Sequence, residues 1–152
     1  MNVKFYDIYT KSADLNILFF DGSSKKFSLS SSDYEDLLKS SDFITLHVPA
    51  QKDYIIGEKE LDLMKDGIGI INAARGGVID ENALLNAISK NKVLFAGLDT
   101  FENEPNPDIK ILMNPYISLT PHIGAATNEA QERIGIELAD KIINFYSSSN
   151  AQ

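Results

Sequence analysis

The sequence predicts an α/β fold built on a parallel, doubly wound sheet. The continuous apolar run at residues 68–71 reads as a strand buried on both faces of a parallel sheet, 93–98 as another buried strand and 117–120 as the last strand. Segments with helical apolar spacing separate these runs, and the connections are short, which is the pattern of repeated βα units. No internal repeat and no linker rich in Pro or Gly divides the 152 residues, so one domain with a sizeable core is expected.

Taken in order, residues 3–6 alternate weakly and read as a short strand ending on Asp7. Residues 17–20 form a second apolar run, and Asp21-Gly22 is a turn signal that folds Phe27-Ser28-Leu29 back as a hairpin. Ser32-x-x-Glu35 reads as a capping box for a helix over 33–40, with Tyr34, Leu37 and Leu38 on its apolar face. A strand over 43–48 stops at Pro49, and a short helix over 58–65 carries Leu61 and Met64 inward. Asp80 caps the helix that follows Gly77 and points Leu84, Leu85 and Ile88 at the sheet. An acidic, proline-containing loop occupies 102–108. Thr127 caps a long helix to about Tyr146, whose Ala130, Ile134, Leu138 and Ile142 repeat every four residues. Residues 147–152 read as a flexible polar tail, and Met64, Tyr34, Phe19 and Phe20 are most simply core.

Composition excludes several classes of function. With 14 basic and 22 acidic residues the net charge is −8, which disfavours nucleic acid and anionic membrane as partners. The apolar runs are too short to span a bilayer, and no signal peptide is visible, so a cytoplasmic location is expected. There is no cysteine, hence no disulfide framework and no thiol nucleophile. Two histidines and scattered carboxylates lack the spacing of a metal site.

Chemistry concentrates at strand ends, where ligands of α/β sheets sit. Arg75 follows the run Ile70-Ile71-Asn72 on a glycine turn, Asp99 and Glu104 follow Leu98, and His122 follows Leu119. Alone, each has an ordinary explanation: a solvated arginine, loop carboxylates, a histidine beside a helix cap. Together they suit hydride transfer to a keto acid. Arginine pairs bidentately with a planar carboxylate, and histidine, with a carboxylate beside it favouring its protonated form, supplies a proton to the nascent alkoxide.

The stretches Asp42-Phe43-Ile44-Thr45-Leu46-His47-Val48-Pro49, Asn72-Ala73-Ala74-Arg75-Gly76-Gly77, Leu98-Asp99-Thr100-Phe101-Glu102-Asn103-Glu104-Pro105 and Thr120-Pro121-His122-Ile123-Gly124-Ala125 occur in this order. Over residues 42–139 the chain thereby resembles the cofactor-domain half of the D-isomer-specific 2-hydroxyacid dehydrogenases, most of all their phosphoglycerate-oxidising branch. The resemblance implies a Rossmann-like NAD-binding domain that acts on a small anionic 2-hydroxy or 2-keto acid, D-3-phosphoglycerate foremost, in a homodimer that feeds serine synthesis. It implies that Arg75 grips the substrate carboxylate, that His122 is the acid/base and that Glu104 is its carboxylate partner. It further implies that Asp99 holds the nicotinamide carboxamide while Ala73, Ala74, Arg75, His122 and Gly124 line the cofactor. Asp7 then matches the acid on the adenosine ribose, which favours NAD over its 2′-phosphorylated analogue.

One part of that pattern has no counterpart. The glycine-rich G-x-G-x-x-G turn and the strand before it should precede the ribose acid by roughly 20 residues, and only six residues precede Asp7. The expectation is therefore a partial NAD-binding domain over 1–146 without its first strand, its glycine loop or the substrate-binding domain. Other readings are a non-catalytic piece that docks on a partner chain, a glyoxylate or hydroxypyruvate reductase or D-lactate dehydrogenase, and an NAD-binding corepressor-like sensor.

Overall fold

The computed structural model describes residues 1–149. Its framework is a parallel sheet of β3 (Phe43–Leu46), β4 (Ile68–Asn72), β5 (Val93–Leu98) and β6 (Ile117–Leu119), in that spatial order. The helices α1 (Tyr34–Ser40), α2 (Glu58–Leu63), α3 (Glu81–Ser89) and α4 (Ile109–Leu112) alternate with these strands. The apolar runs therefore form the parallel strands that they predict, and the fold is Rossmann-like α/β.

Strand order equals chain order across this sheet. Right-handed crossovers that step in one direction put every intervening helix on the same face. The core accordingly lies on one side, where Ile44, Leu46, Ile70, Ala96, Leu98 and Ile117 meet Leu38, Leu61, Leu84, Ile88 and Ile111. Each fully buried side chain of this size contributes roughly 1.5–3 kcal/mol relative to exposure. On the opposite face Phe43, Ile71 and Phe95 remain exposed. The strands are therefore covered on one face, not on both as the apolar run at 68–71 predicts, because no helix of this stretch crosses to that side. The rings of Phe43 and Phe95 meet there at 5.8 Å, above Gly69, where a Cβ would fall 2.4 Å from the Phe95 ring. The outer edge of β3 pairs with no strand among the described residues.

Local signals explain the helix boundaries, with one correction. The N-cap of α1 is Asp33, not Ser32; its carboxylate accepts from the Glu35 and Asp36 N–H groups. Carboxylate capping outcompetes the serine because it serves two orphan donors at once. Asp80 caps α3 as predicted, accepting from Asn82 and Ala83. Leu84 and Ile88 are buried, while Leu85 is only half-buried against the core.

The first thirty residues depart further from expectation. Residues 3–6 do not form a strand; Phe5 makes one isolated parallel bridge to Ser31. A weak alternation has no partner to organise it. β1 (Ser12–Leu18) and β2 (Ser24–Ser30) form the antiparallel hairpin that Asp21-Gly22 predicts, with Leu15 opposite Phe27. Phe19 and Phe20 lie in its turn and are exposed, not core.

At the other end, α5 (Asn128–Ser149) starts beside Thr127, whose hydroxyl accepts from the Ala130 N–H at 3.2 Å. It runs past Tyr146, so residues 147–149 are helical rather than a frayed tail; residues 150–152 lie outside the described residues. Its stripe of Ile134, Leu138 and Ile142 is exposed. No helix among the described residues is long and apolar enough to cross a membrane.

Candidate active site

The C-terminal ends of β4, β5 and β6 lie side by side, and each delivers one of the sequence-predicted groups. Behind β4, buried Asn72 braces the turn that carries Arg75. Its Oδ1 accepts from the Ala74 N–H at 3.1 Å, and its Nδ2 donates to the Arg75 carbonyl at 2.9 Å. Arg75 is exposed and spends one guanidinium N–H on the Ala74 carbonyl, which leaves most of its donor fork for an incoming anion. Ala74 is buried while Ala73 faces the adjoining groove.

Behind β5, Asp99 is buried and ties down the turn after β6. Its Oδ1 accepts from the Thr120 hydroxyl at 2.6 Å and the Ile123 N–H at 2.9 Å; its Oδ2 accepts from the Gly124 N–H at 2.8 Å. Burial pushes this carboxyl up, but the bonds from Thr120, Ile123 and Gly124 and the nearby His122 outweigh it and hold it below the usual range. An ionised carboxylate has about four acceptor positions, so one remains on Oδ2 for a ligand N–H. A Cβ on residue 124 would come 2.9 Å from that oxygen, so glycine keeps the approach open.

The 99–105 loop presents Glu104 to His122. Glu104 Oε1 accepts from the Phe101 N–H at 2.9 Å, and Oε2 lies 2.8 Å from His122 Nδ1. The His122 bond, then the Phe101 bond, hold the Glu104 carboxyl below its ordinary value. With Nδ1 committed to Glu104, the Nε2 atom of His122 is the one left to exchange a proton with a substrate. His122 itself has φ +54°, an uncommon left-handed conformation, after a tight turn in which its N–H reaches the Thr120 carbonyl at 3.0 Å. Strain of this kind collects at functional sites.

Beside Asp99 and Ala73 lies a groove of about 210 Å³, lined also by Ile71, Gly97, Ser118 and Thr120; Arg75, Glu104 and His122 are not part of its lining. Gly97 and Ser118 are register partners and adjoin Ile71, so two small side chains make a shallow floor on the bare face of the sheet. A flat ring fits that floor, with Asp99 at its edge. The donor set thus suits the nicotinamide end of NAD. For the pyrophosphate end the chain offers no glycine-rich turn of the G-x-G-x-x-G kind.

Glu104 and His122 are in direct contact, Asp99 and Gly124 are bonded to one another, and Arg75 and Ala73 belong to the neighbouring turn. Asp7 stands apart from them. Its Oδ1 accepts from the Tyr9 and Thr10 N–H groups, which lower its pKa, and Oδ2 takes no part in that turn. Asn72 and Thr120, which brace the Arg75 turn and Asp99, are the supporting side chains that residue-by-residue reasoning missed. The available signal was a polar residue closing an otherwise apolar strand. Among the described residues no cluster of three or more His, Cys, Asp or Glu side chains could hold a metal ion.

Comparison with known proteins identifies the family and the fold. Residues 1–124 match the family model described as D-isomer specific 2-hydroxyacid dehydrogenase, NAD binding domain. That match starts upstream of Asp42, where the quoted resemblance begins, and includes the hairpin. A D-3-phosphoglycerate dehydrogenase of Archaeoglobus fulgidus is 42% identical over 143 residues, 89% of this chain and 27% of its own length. A hydroxypyruvate reductase of Thermotoga maritima is 50% identical over 115 residues, 72% of this chain and 38% of its own. Among solved structures, a glyoxylate reductase from Paecilomyes thermophila superposes with a TM-score of 0.66 at 42% identity, covering 76% of this chain and 34% of that one. A D-lactate dehydrogenase from Aquifex aeolicus, complexed with NAD and lactic acid, gives 0.64 at 34% identity, covering 79% and 41%. The chain thus spans well under half the length of these relatives. The chain belongs to the D-isomer-specific 2-hydroxyacid dehydrogenase family, matching its NAD-binding domain.

Proposed function

We propose that this chain is the reacting end of an NAD-dependent oxidoreductase that interconverts a D-2-hydroxy acid and its 2-keto acid. The observation that carries the reading is the 2.8 Å contact of His122 Nδ1 with Glu104 Oε2, between the segments that follow β6 and β5. When bound, the nicotinamide supplies or accepts the hydride. Arg75 holds the substrate carboxylate and so fixes the reacting carbonyl in the groove. His122 Nε2 gives a proton to the substrate oxygen during reduction and takes it back during oxidation, while Glu104 keeps the ring oriented and balances the imidazolium. Asp99 offers its remaining acceptor position to the carboxamide, Ala73, Ala74 and Gly124 border the ring, and Asp7 takes the ribose hydroxyls. This partial cofactor domain extends through α5.

Within this reading D-3-phosphoglycerate is the preferred substrate and serine biosynthesis the role; a cytoplasmic homodimer is proposed alongside. Support comes from phosphoglycerate dehydrogenases among its relatives at 39–46% identity. Glyoxylate, hydroxypyruvate and lactate remain competing substrates, because a hydroxypyruvate reductase and a glyoxylate reductase are 50% and 47% identical to this chain and a D-lactate dehydrogenase 34%. A second reading is a non-catalytic piece that needs a partner chain. The unpaired edge of β3 and the bare sheet face favour it.

The deciding experiment combines NADH fluorescence titration with turnover of the corresponding keto acids. His122→Ala is expected to lower kcat about 10²–10⁴-fold, the usual contribution of a positioned acid/base. Arg75→Ala should raise KM as well. Turnover that survives both changes overturns the dehydrogenase reading. No NADH binding by the purified chain selects the second reading.

A further inference from the structure

Glu81 is a buried carboxylate that the proposed chemistry does not use. It is the first residue of α3 and 6% exposed. Its own N–H, an orphan donor of the helix start, is accepted by Glu102 Oε1 at 2.8 Å, and the Glu102 N–H is accepted by Glu81 Oε1 at 2.8 Å. Two carboxylates from remote segments thus hold one another's backbone reciprocally. Neither has a Lys, Arg or His within ion-pair distance among the described residues. Burial, with the charges of Glu102 and Asp108, pushes the Glu81 carboxyl up, against the Glu102 N–H bond that lowers it. The charge of Glu102 also raises the Tyr54 phenol. A fold seldom keeps such a charge pair for stability, since uncharged acceptors serve backbone donors at lower desolvation cost.

The neighbours of this pair indicate what it holds. Glu102 directly follows Phe101, whose N–H anchors Glu104 Oε1. The carbonyl of Phe101 also abuts Gly76, where a Cβ would lie 1.8 Å from the oxygen. The Phe101 carbonyl, in the same peptide unit as the Glu102 N–H that Glu81 holds, therefore faces the Arg75 turn, while the N–H of the preceding peptide unit supports the His122 partner. We propose that Glu81 and Glu102 form a positioning clamp that fixes the Phe101 peptide, and through it sets Glu104 against His122 and the Arg75 turn. They are positioning residues, not catalytic ones. The functional meaning of the clamp rests on the dehydrogenase reading, but its test does not.

The test is a carboxyl ¹³C NMR titration of the purified 152-residue chain, following Glu104, with Glu104→Gln for assignment. In Glu81→Ala the Glu104 midpoint is expected to move up towards the ordinary carboxylate value as its bonds to Phe101 and His122 loosen. Glu81→Gln keeps the acceptor oxygen and should restore the wild-type midpoint. Glu102→Ala, which opens the clamp from the loop side, should reproduce the Glu81→Ala shift. An unmoved Glu104 in folded Glu81→Ala or Glu102→Ala overturns the proposal. So does unfolding of both alanine variants by circular dichroism, because a tie the fold cannot lose is structural. If Glu104 responds while His122→Ala leaves turnover intact, the clamp stands and the catalytic reading falls.

Discussion

The two faces of the parallel sheet carry similar side chains and meet different fates. In β4, Ile70 is wholly buried beneath the helices, whereas the adjacent Ile71 is 43% exposed. The difference is topological rather than compositional. Strands laid down in chain order send every right-handed crossover to one side, so the other side receives no helix from this stretch of chain. The helix-bearing face supplies stability; the bare face, at its C-terminal end, supplies the groove floored by Gly97 and Ser118.

Denaturant unfolding can sharpen or break this contrast. Ile70→Ala should cost the most, about 2–5 kcal/mol, as a truncation inside a packed core. Asp80→Ala should cost about 1 kcal/mol, since it frees two N–H groups at the start of α3. Ile71→Ala should cost least, about 0.5–1 kcal/mol, in keeping with its exposure. A cost for Ile71→Ala equal to that of Ile70→Ala would mean that the bare face is covered in solution. The contrast would then be lost.

Legibility in the sequence followed the same division. The strands at 68–71 and 93–98 were readable because they are apolar on both faces, although helices of this chain cover only one; the strand at 117–120 was read from Ile117 and Leu119, the two residues that face inward. β1 was readable only in part, since Ser12, Ala13 and Asp14 carry no apolar signal and pair through backbone geometry with β2. α4 has four residues, too few for any periodicity to show. The exposed stripe of α5 shows the converse limit: periodicity announces an amphipathic helix but not what covers it.

Of the proposed site, the positions of Arg75, Asp99, Glu104 and His122 were legible because each follows an apolar strand, where ligands of α/β sheets sit. Asn72 was hidden by the same rule, because its amide turns inward to hold backbone rather than outward to ligand. Glu81 looked like an ordinary first-turn acid on a helix. Only the fold brings Glu102 to it, and no local pattern encodes a contact across that separation.

The ordering of the strands has a kinetic consequence as well. Each strand of the parallel sheet begins about 25 residues after the one it pairs with, the span of a single βα unit. Loop closures of this size are short for a parallel sheet, whose pairings are otherwise among the slowest to form. The sheet can therefore grow one unit at a time, and the ends carrying Arg75, Glu104 and His122 become neighbours in the order in which the chain emerges.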